Sequence, residues 1–163
     1  DECEQIRLYL IIVGCKNMGI EYEIDIEEGL ENYIIPKFIL QPIVENSLKH
    51  GLTGVEQGCI AIRICSEGDN IRFVIMDNGI GMEDEELESL IKSLKLYKKE
   101  RDIRKQQKVS EDYRDFQGHM GLYNVYERLR LEYGETMQFK MISAKGRGTC
   151  TEFSIPKRES QDD

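Results

Sequence analysis

Two pairs of β-rich segments, each closed by a short polar turn, constrain this chain more than any other feature. Residues 59–65 and 71–76 flank Ser66-Glu67-Gly68-Asp69-Asn70. Residues 137–143 and 149–155 flank a turn around Gly146-Arg147-Gly148. β-Branched and aromatic runs bounded by Gly, Asn and Asp predict strand pairs. Residues 20–26 alternate apolar and polar without a miss, which predicts a further half-buried strand. A sheet with one apolar face has to bury it under a second layer. Helical spacing offers that layer. Ile6, Leu10 and Val13 mark residues 2–16, and Leu87, Ile91 and Leu94 mark residues 83–97. A helix over residues 41–50 follows Pro36, carries Pro42 in its first turn and stops at Gly51. Leu122, Val125 and Leu129 mark another, opened by Gly118 and Gly121 and stopped by Gly134. The expected fold class is α+β: a two-layer α/β sandwich with a mixed, mostly antiparallel sheet and helices on one face. The first helix is already running at residue 2, so residues 1–18 read as the end of a longer helix. Residues 19–157 read as the folded domain and residues 158–163 as a frayed tail.

Composition narrows the function classes. There are 31 acidic and 22 basic residues in a chain of 163, a net charge of −9, which argues against a general nucleic-acid binder. The longest stretch without charge, residues 8–15, is too short to span a bilayer. Asp1, Glu2 and Glu4 are unlike the start of a secretory signal. The five cysteines include no C-x-x-C pair, which fits thiols used as small apolar side chains in a reducing compartment.

The phosphate loop G-x-x-x-x-G-K-[ST] is absent, as are a G-x-G-x-x-G after a strand and the H-R-D and D-F-G of protein kinases. Neither histidine has a zinc spacing. Four other elements are present. Glu45, Asn46, Lys49 and His50 lie three and four apart on one helix face, opposite Ile43, Val44 and Leu48. A carboxylate, a carboxamide oxygen and an ammonium suit a magnesium-bound phosphate; a solvated helix face explains them too. Asp77-Asn78-Gly79-Ile80-Gly81-Met82 follows an apolar strand. There a carboxylate can accept the exocyclic amine of adenine while glycine lets the backbone come close; an Asx turn is the other explanation. Gly118-His119-Met120-Gly121-Leu122 opens a helix, whose first amides make an anion site or simply begin a helix. Gly146-Arg147-Gly148-Thr149 ends in a hydroxyl that can reach a base, directly or through water, or is only a hairpin turn and a strand threonine.

In this order and combination, the four elements resemble the ATP-binding fold shared by histidine kinases, gyrase, a heat-shock chaperone and a mismatch-repair ATPase, the GHKL or Bergerat fold. Residues 35–51, with Gln41-Pro42-Ile43-Val44-Glu45-Asn46-Ser47-Leu48-Lys49-His50-Gly51, resemble the asparagine box of the LytS/YesM-type bacterial sensor histidine kinases. Residues 121–134, from Gly121-Leu122-Tyr123-Asn124-Val125 to Gly134, resemble the same subgroup. The resemblance covers about residues 2–156. It implies ATP and Mg2+ as ligands. Asn46 would hold the magnesium, Glu45 would help to activate the attacking group, and Lys49 and His50 would face the phosphates. Glu45 and Lys49 are thus the catalytic candidates. Asp77 would bind the adenine amine, with Gly79, Gly81 and Met82 beside the nucleotide. The amides around Gly118, Gly121 and Leu122 would meet phosphate, and Thr149 would help to recognise adenine.

The activity implied is that of a protein-histidine kinase, moving the ATP γ-phosphoryl to a histidine on a separate helical dimerisation domain and from there to a response regulator. His50 and His119 both lie inside the nucleotide motifs and are poor acceptors. The expectation is therefore a catalytic fragment that binds ATP without labelling itself, joined by its first helix to the dimerisation domain. The resemblance implies a homodimeric parent anchored in the cell membrane, with this part in the cytoplasm. Two departures stand out. The subgroup's Gly-x-Gly before Leu122 is here His119-Met120-Gly121, with Gly118 one residue earlier. The mobile lid expected at about residues 95–117 is long, and residues 95–108 carry seven basic and two acidic side chains. That stretch either closes over the triphosphate, touches an acidic partner, or is a solvated segment. The rival readings are a degenerate ATP-sensing module without transferase activity and a serine kinase of the anti-sigma type. An ATP-driven clamp fits least.

Overall fold

A computed structural model describes residues 19–30, 33–107 and 119–158. Five strands form one sheet. They are β1 (Ile20–Ile26), β2 (Gly58–Glu67), β3 (Asn70–Asp77), β4 (Gln138–Ser143) and β5 (Thr149–Pro156), in the order β1-β2-β3-β5-β4. β1 runs parallel to β2 and every other pair is antiparallel. The two expected hairpins are therefore β2–β3 and β4–β5, and the mixed sheet follows from the long connection between β1 and β2. The described residues also form three α-helices: α1 (Leu40–Asn46), α2 (Asp84–Gln107) and α3 (Met120–Tyr133).

The strand alternation decides which face is buried. Ile60, Ile62 and Ile64 of β2, Ile71, Phe73 and Ile75 of β3, and Phe153 and Ile155 of β5 are all buried on one face. Phe73 and Phe153 are register partners whose rings stack at 4.6 Å, which fixes the middle of the sheet. Leu40, Ile43 and Val44 of α1, Leu90 and Leu94 of α2, and Leu122, Val125 and Leu129 of α3 close over them in one core. On the other face Arg63 and Lys140 are exposed, so the two-layer arrangement holds. Cys59, Cys65 and Cys150 are free thiols.

Two expectations need correction. The helix over residues 41–50 is not one α-helix. α1 ends at Asn46 and gives way to a π turn, Ser47–Gly51, closed by the Leu52 amide on the Ser47 carbonyl at 2.8 Å. The helix expected over residues 83–97 runs on to Gln107, through the first part of the stretch assigned to a lid. No Gly or Pro interrupts it, and fading apolar period proved no signal for its end. The strand expected at 20–26 is present with those bounds as β1, half-buried at Ile20, Ile24 and Ile26, and its place at the sheet edge leaves Tyr22 exposed. The helix expected over 2–16 and the tail over 159–163 lie outside the described residues, and no helix among the described residues is long and apolar enough to cross a membrane.

Candidate active site

The site begins where β3 ends. Asp77, its last residue, is 8% exposed. Its Oδ1 accepts the Gly79 amide at 3.0 Å and the Thr149 amide at 3.2 Å. Its Oδ2 has no protein partner among the described residues and keeps contact with solvent. A carboxylate this far inside normally has its lone pairs filled, so the open oxygen is a place for a donor from outside the chain. The Asx turn expected as the bland alternative is also present, since the Gly79 bond is one. Asn78 secures the strand end: its Oδ1 accepts the Cys59 amide at 2.7 Å and its Nδ2 donates to the Gln57 carbonyl at 2.9 Å.

Glycines make this approach possible. A Cβ on Gly79 would collide with the backbone of Gly51, whose carbonyl accepts the Ile80 amide at 2.8 Å. A Cβ on Gly148 would collide with the Asp77 carbonyl, and its φ of +79° is itself a glycine conformation. The end of the π turn, the loop after β3 and the β4–β5 turn thus close on Asp77 from three sides.

The second wall comes from α1 and α3. Pro42 and Gly121 let these helices touch: a Cβ on Gly121 would stand 3.0 Å from that of Pro42. Glu45 is half-buried, held by the Gln41 amide group at 3.0 Å and by Lys49 Nζ at 3.4 Å. Asn46 Oδ1 meets His119 Nδ1 at 2.8 Å, and the His50 and His119 rings lie 4.8 Å apart. The carboxamide oxygen only accepts, so His119 Nδ1 is the donor; burial, with the His50 ring second, lowers the His119 pKa. His119, which the sequence marks as a departure from glycine and a poor phosphoacceptor, thus contacts both Asn46 and His50.

All the predicted positions but Gly118 lie among the described residues. Asn46, Glu45, Lys49 and His50 come together at the end of α1 and in the π turn; Asp77, Gly79 and Thr149 come together at the end of β3. Gly81 packs against the Ala144 carbonyl. Met82 departs from expectation: its side chain joins the core, and its amide is committed to Ser143 Oγ at 2.9 Å. Leu122 departs too. Its side chain is core and its amide donates to the His119 carbonyl at 3.0 Å, which leaves Met120 and Gly121 as the earlier amides of that turn. Gly118 and the side chains of the basic stretch, Lys98, Lys99, Arg101 and Arg104, lie outside the described residues. Gly51 and Ser143 were missed. The hairpin register, which sets Ser143 opposite Thr149, was the available signal for the latter.

Residues 32–159 match the model of the family described as "Histidine kinase-, DNA gyrase B-, and HSP90-like ATPase". The chain belongs to this family. An uncharacterised sensor-like histidine kinase of Staphylococcus epidermidis is 31% identical over 96% of the chain, and the sensor protein kinase HptS of Staphylococcus aureus is 28% identical over the same share. The chain spans about a quarter of the length of these relatives, 27% in each case. Among solved structures, full-length ShkA in complex with AMPPNP superposes with a TM-score of 0.61 at 16% identity, covering 96% of this chain and 29% of that one. That likeness is one of fold.

The donor set has a defined chemical reach. Among the described residues no group of three His, Cys, Asp or Glu side chains is placed to hold a metal, so a cage made by the protein alone is absent there. Asn46 Oδ1 with Glu45 nearby fits the mode that magnesium prefers, one or two protein oxygens with the rest supplied by water and substrate phosphate.

Proposed function

We propose that this chain is the ATP-binding catalytic domain of a LytS/YesM-type sensor histidine kinase, which transfers the γ-phosphoryl of ATP to a histidine on a dimerisation domain. The observation that carries the reading is Asp77, a buried carboxylate with one oxygen held by two amides and the other open to an incoming donor. Asp77 would hold the exocyclic amine of adenine, with Thr149 beside it. Gly79 and Gly81 would let the purine lie against the backbone. Asn46 would hold magnesium, which supplies neutralisation of phosphate charge when bound. Lys49 and His50 would face the phosphates from the π turn, and the amides of Met120 and Gly121 would meet them from the start of α3. Glu45, oriented by Gln41 and Lys49, would accept the proton of the attacking imidazole. The chemistry is mostly positioning and electrostatics.

For the whole protein the sensor-kinase relatives support a phosphoacceptor domain and a downstream response regulator; a homodimeric parent and membrane anchoring with this domain in the cytoplasm belong to the proposal and rest on the resemblance of the sequence motifs alone. Calorimetric titration with ATP, with and without magnesium, tests it. Asp77→Asn is expected to abolish binding, and Asn46→Ala to abolish only the magnesium dependence. Absence of binding by the unmutated chain at millimolar ATP would refute the reading. Transfer from ATP to an added cognate dimerisation domain separates the kinase from a nucleotide-sensing module, and the His119 substitution is what gives that second reading weight.

A further inference from the structure

The adenine end of the proposed site holds a buried hydroxyl that the reading above leaves unused. Ser143, the last residue of β4, is 7% exposed and is the register partner of Thr149. Its Oγ accepts the Met82 amide at 2.9 Å, donates to the Gly148 carbonyl at 3.0 Å, and lies 2.9 Å from Thr149 Oγ1. A hydroxyl has one proton. With that proton on the Gly148 carbonyl, Ser143 has none for Thr149, so Thr149 donates its own across the 2.9 Å pair. Every donor and acceptor of Ser143 is then filled. The opposite orientation would strip the Gly148 carbonyl of this partner and leave it the Ala144 amide at 3.4 Å, a poor exchange for a buried acceptor.

The consequence falls on Thr149. Its oxygen keeps lone pairs but has no proton for anything in the site. Asp77, joined to it by the Thr149 amide, is also an acceptor only. We propose that Ser143 determines purine specificity: by taking the Thr149 proton it leaves two acceptors side by side, which select the 6-amino group of adenine, directly or through a water, and reject a 6-oxo purine. The inference rests on the reading of Asp77 and Thr149 as the adenine end of an ATP site.

Displacement titrations of the intact chain with ATP and inosine triphosphate test it, read as the ratio of the two Kd values. That ratio is insensitive to the fraction of folded protein. Ser143→Ala frees the Thr149 hydroxyl to turn and donate to a 6-oxo group, so the preference for ATP is expected to fall about fivefold, the worth of one neutral hydrogen bond. Ser143→Cys, with nearly the same volume and a weaker donor, is expected to fall between. In a Thr149→Val background the Ser143→Ala change is expected to leave the ratio unaltered, since Ser143 acts through Thr149. An unchanged ratio in Ser143→Ala, with ATP binding still lost in Asp77→Asn, overturns this inference and leaves the site reading standing. An equal fall with and without Thr149 also overturns it. ATP binding that survives Asp77→Asn overturns the site reading and this inference together.

Discussion

Replacing Gly51 by alanine is the most direct probe of Asp77 that does not alter it. A Cβ on Gly51 would stand 2.9 Å from Asp77 Oδ1, 3.1 Å from Cγ and 3.2 Å from Oδ2. Gly51 does not have a positive φ, so the backbone accepts alanine and the strain falls on the carboxylate. Ordinary contact begins at 3.4 Å, so Oδ1 has to retreat by about half an ångström. The bond from the Thr149 amide, already 3.2 Å, has the least slack and passes out of range. A charge-assisted bond of this kind is worth about 2 kcal/mol. For a domain of this size that lowers Tm by about 4–8 °C. If Asp77 is the adenine acceptor, a similar loss in the complex weakens ATP by about thirtyfold. The assay is thermal unfolding beside ATP titration, with Gly54→Ala as control. Gly54 has a φ of +79° and open space around it, so alanine there strains the backbone without touching Asp77. A Gly51→Ala protein with lowered Tm but an ATP Kd within about twofold of the parent would refute the reasoning that places adenine at Asp77.

Three further outcomes are expected. His119→Ala removes the 2.8 Å bond on Asn46 Oδ1, so ATP affinity in magnesium should rise about fivefold while magnesium-free affinity stays level; titrations in both conditions check it. Phe153→Ala removes a 1%-exposed ring stacked on Phe73 and should cost about 3–5 kcal/mol by denaturant unfolding, with the ATP Kd of the folded fraction unchanged. Burial, with Glu132 adding and Arg158 opposing, raises the Tyr133 pKa from 10.0 to about 12. The fold then keeps a proton that the unfolded chain loses, so stability should be full below pH 10 and fall as pH rises towards 12. Urea midpoints on either side of pH 10 should show a shallower fall in Tyr133→Phe.

β-Rich runs bounded by polar turns predicted four strands and both hairpins, and strict alternation predicted the fifth strand, because these are local signals that need no distant partner. Glycine and polar spacing marked Glu45, Asn46, Lys49, His50, Asp77, Gly79 and Thr149, since their residue types make poor sense as packing. The sequence therefore determined the local elements and the side chains left over after the core was filled. It did not determine that α1 widens into a π turn at Ser47–Gly51, nor that Met82 and the Leu122 amide are used up inside the fold. Those depend on which groups meet across long separations: Ser143 reaches Met82 from 61 residues away, and His119 reaches Asn46 from 73. A hydrogen bond between distant residues leaves no period in the chain. Only the closing of the sheet under its helices decides which polar atoms are spent on the fold and which, like Asp77 Oδ2, are left without a partner among the described residues.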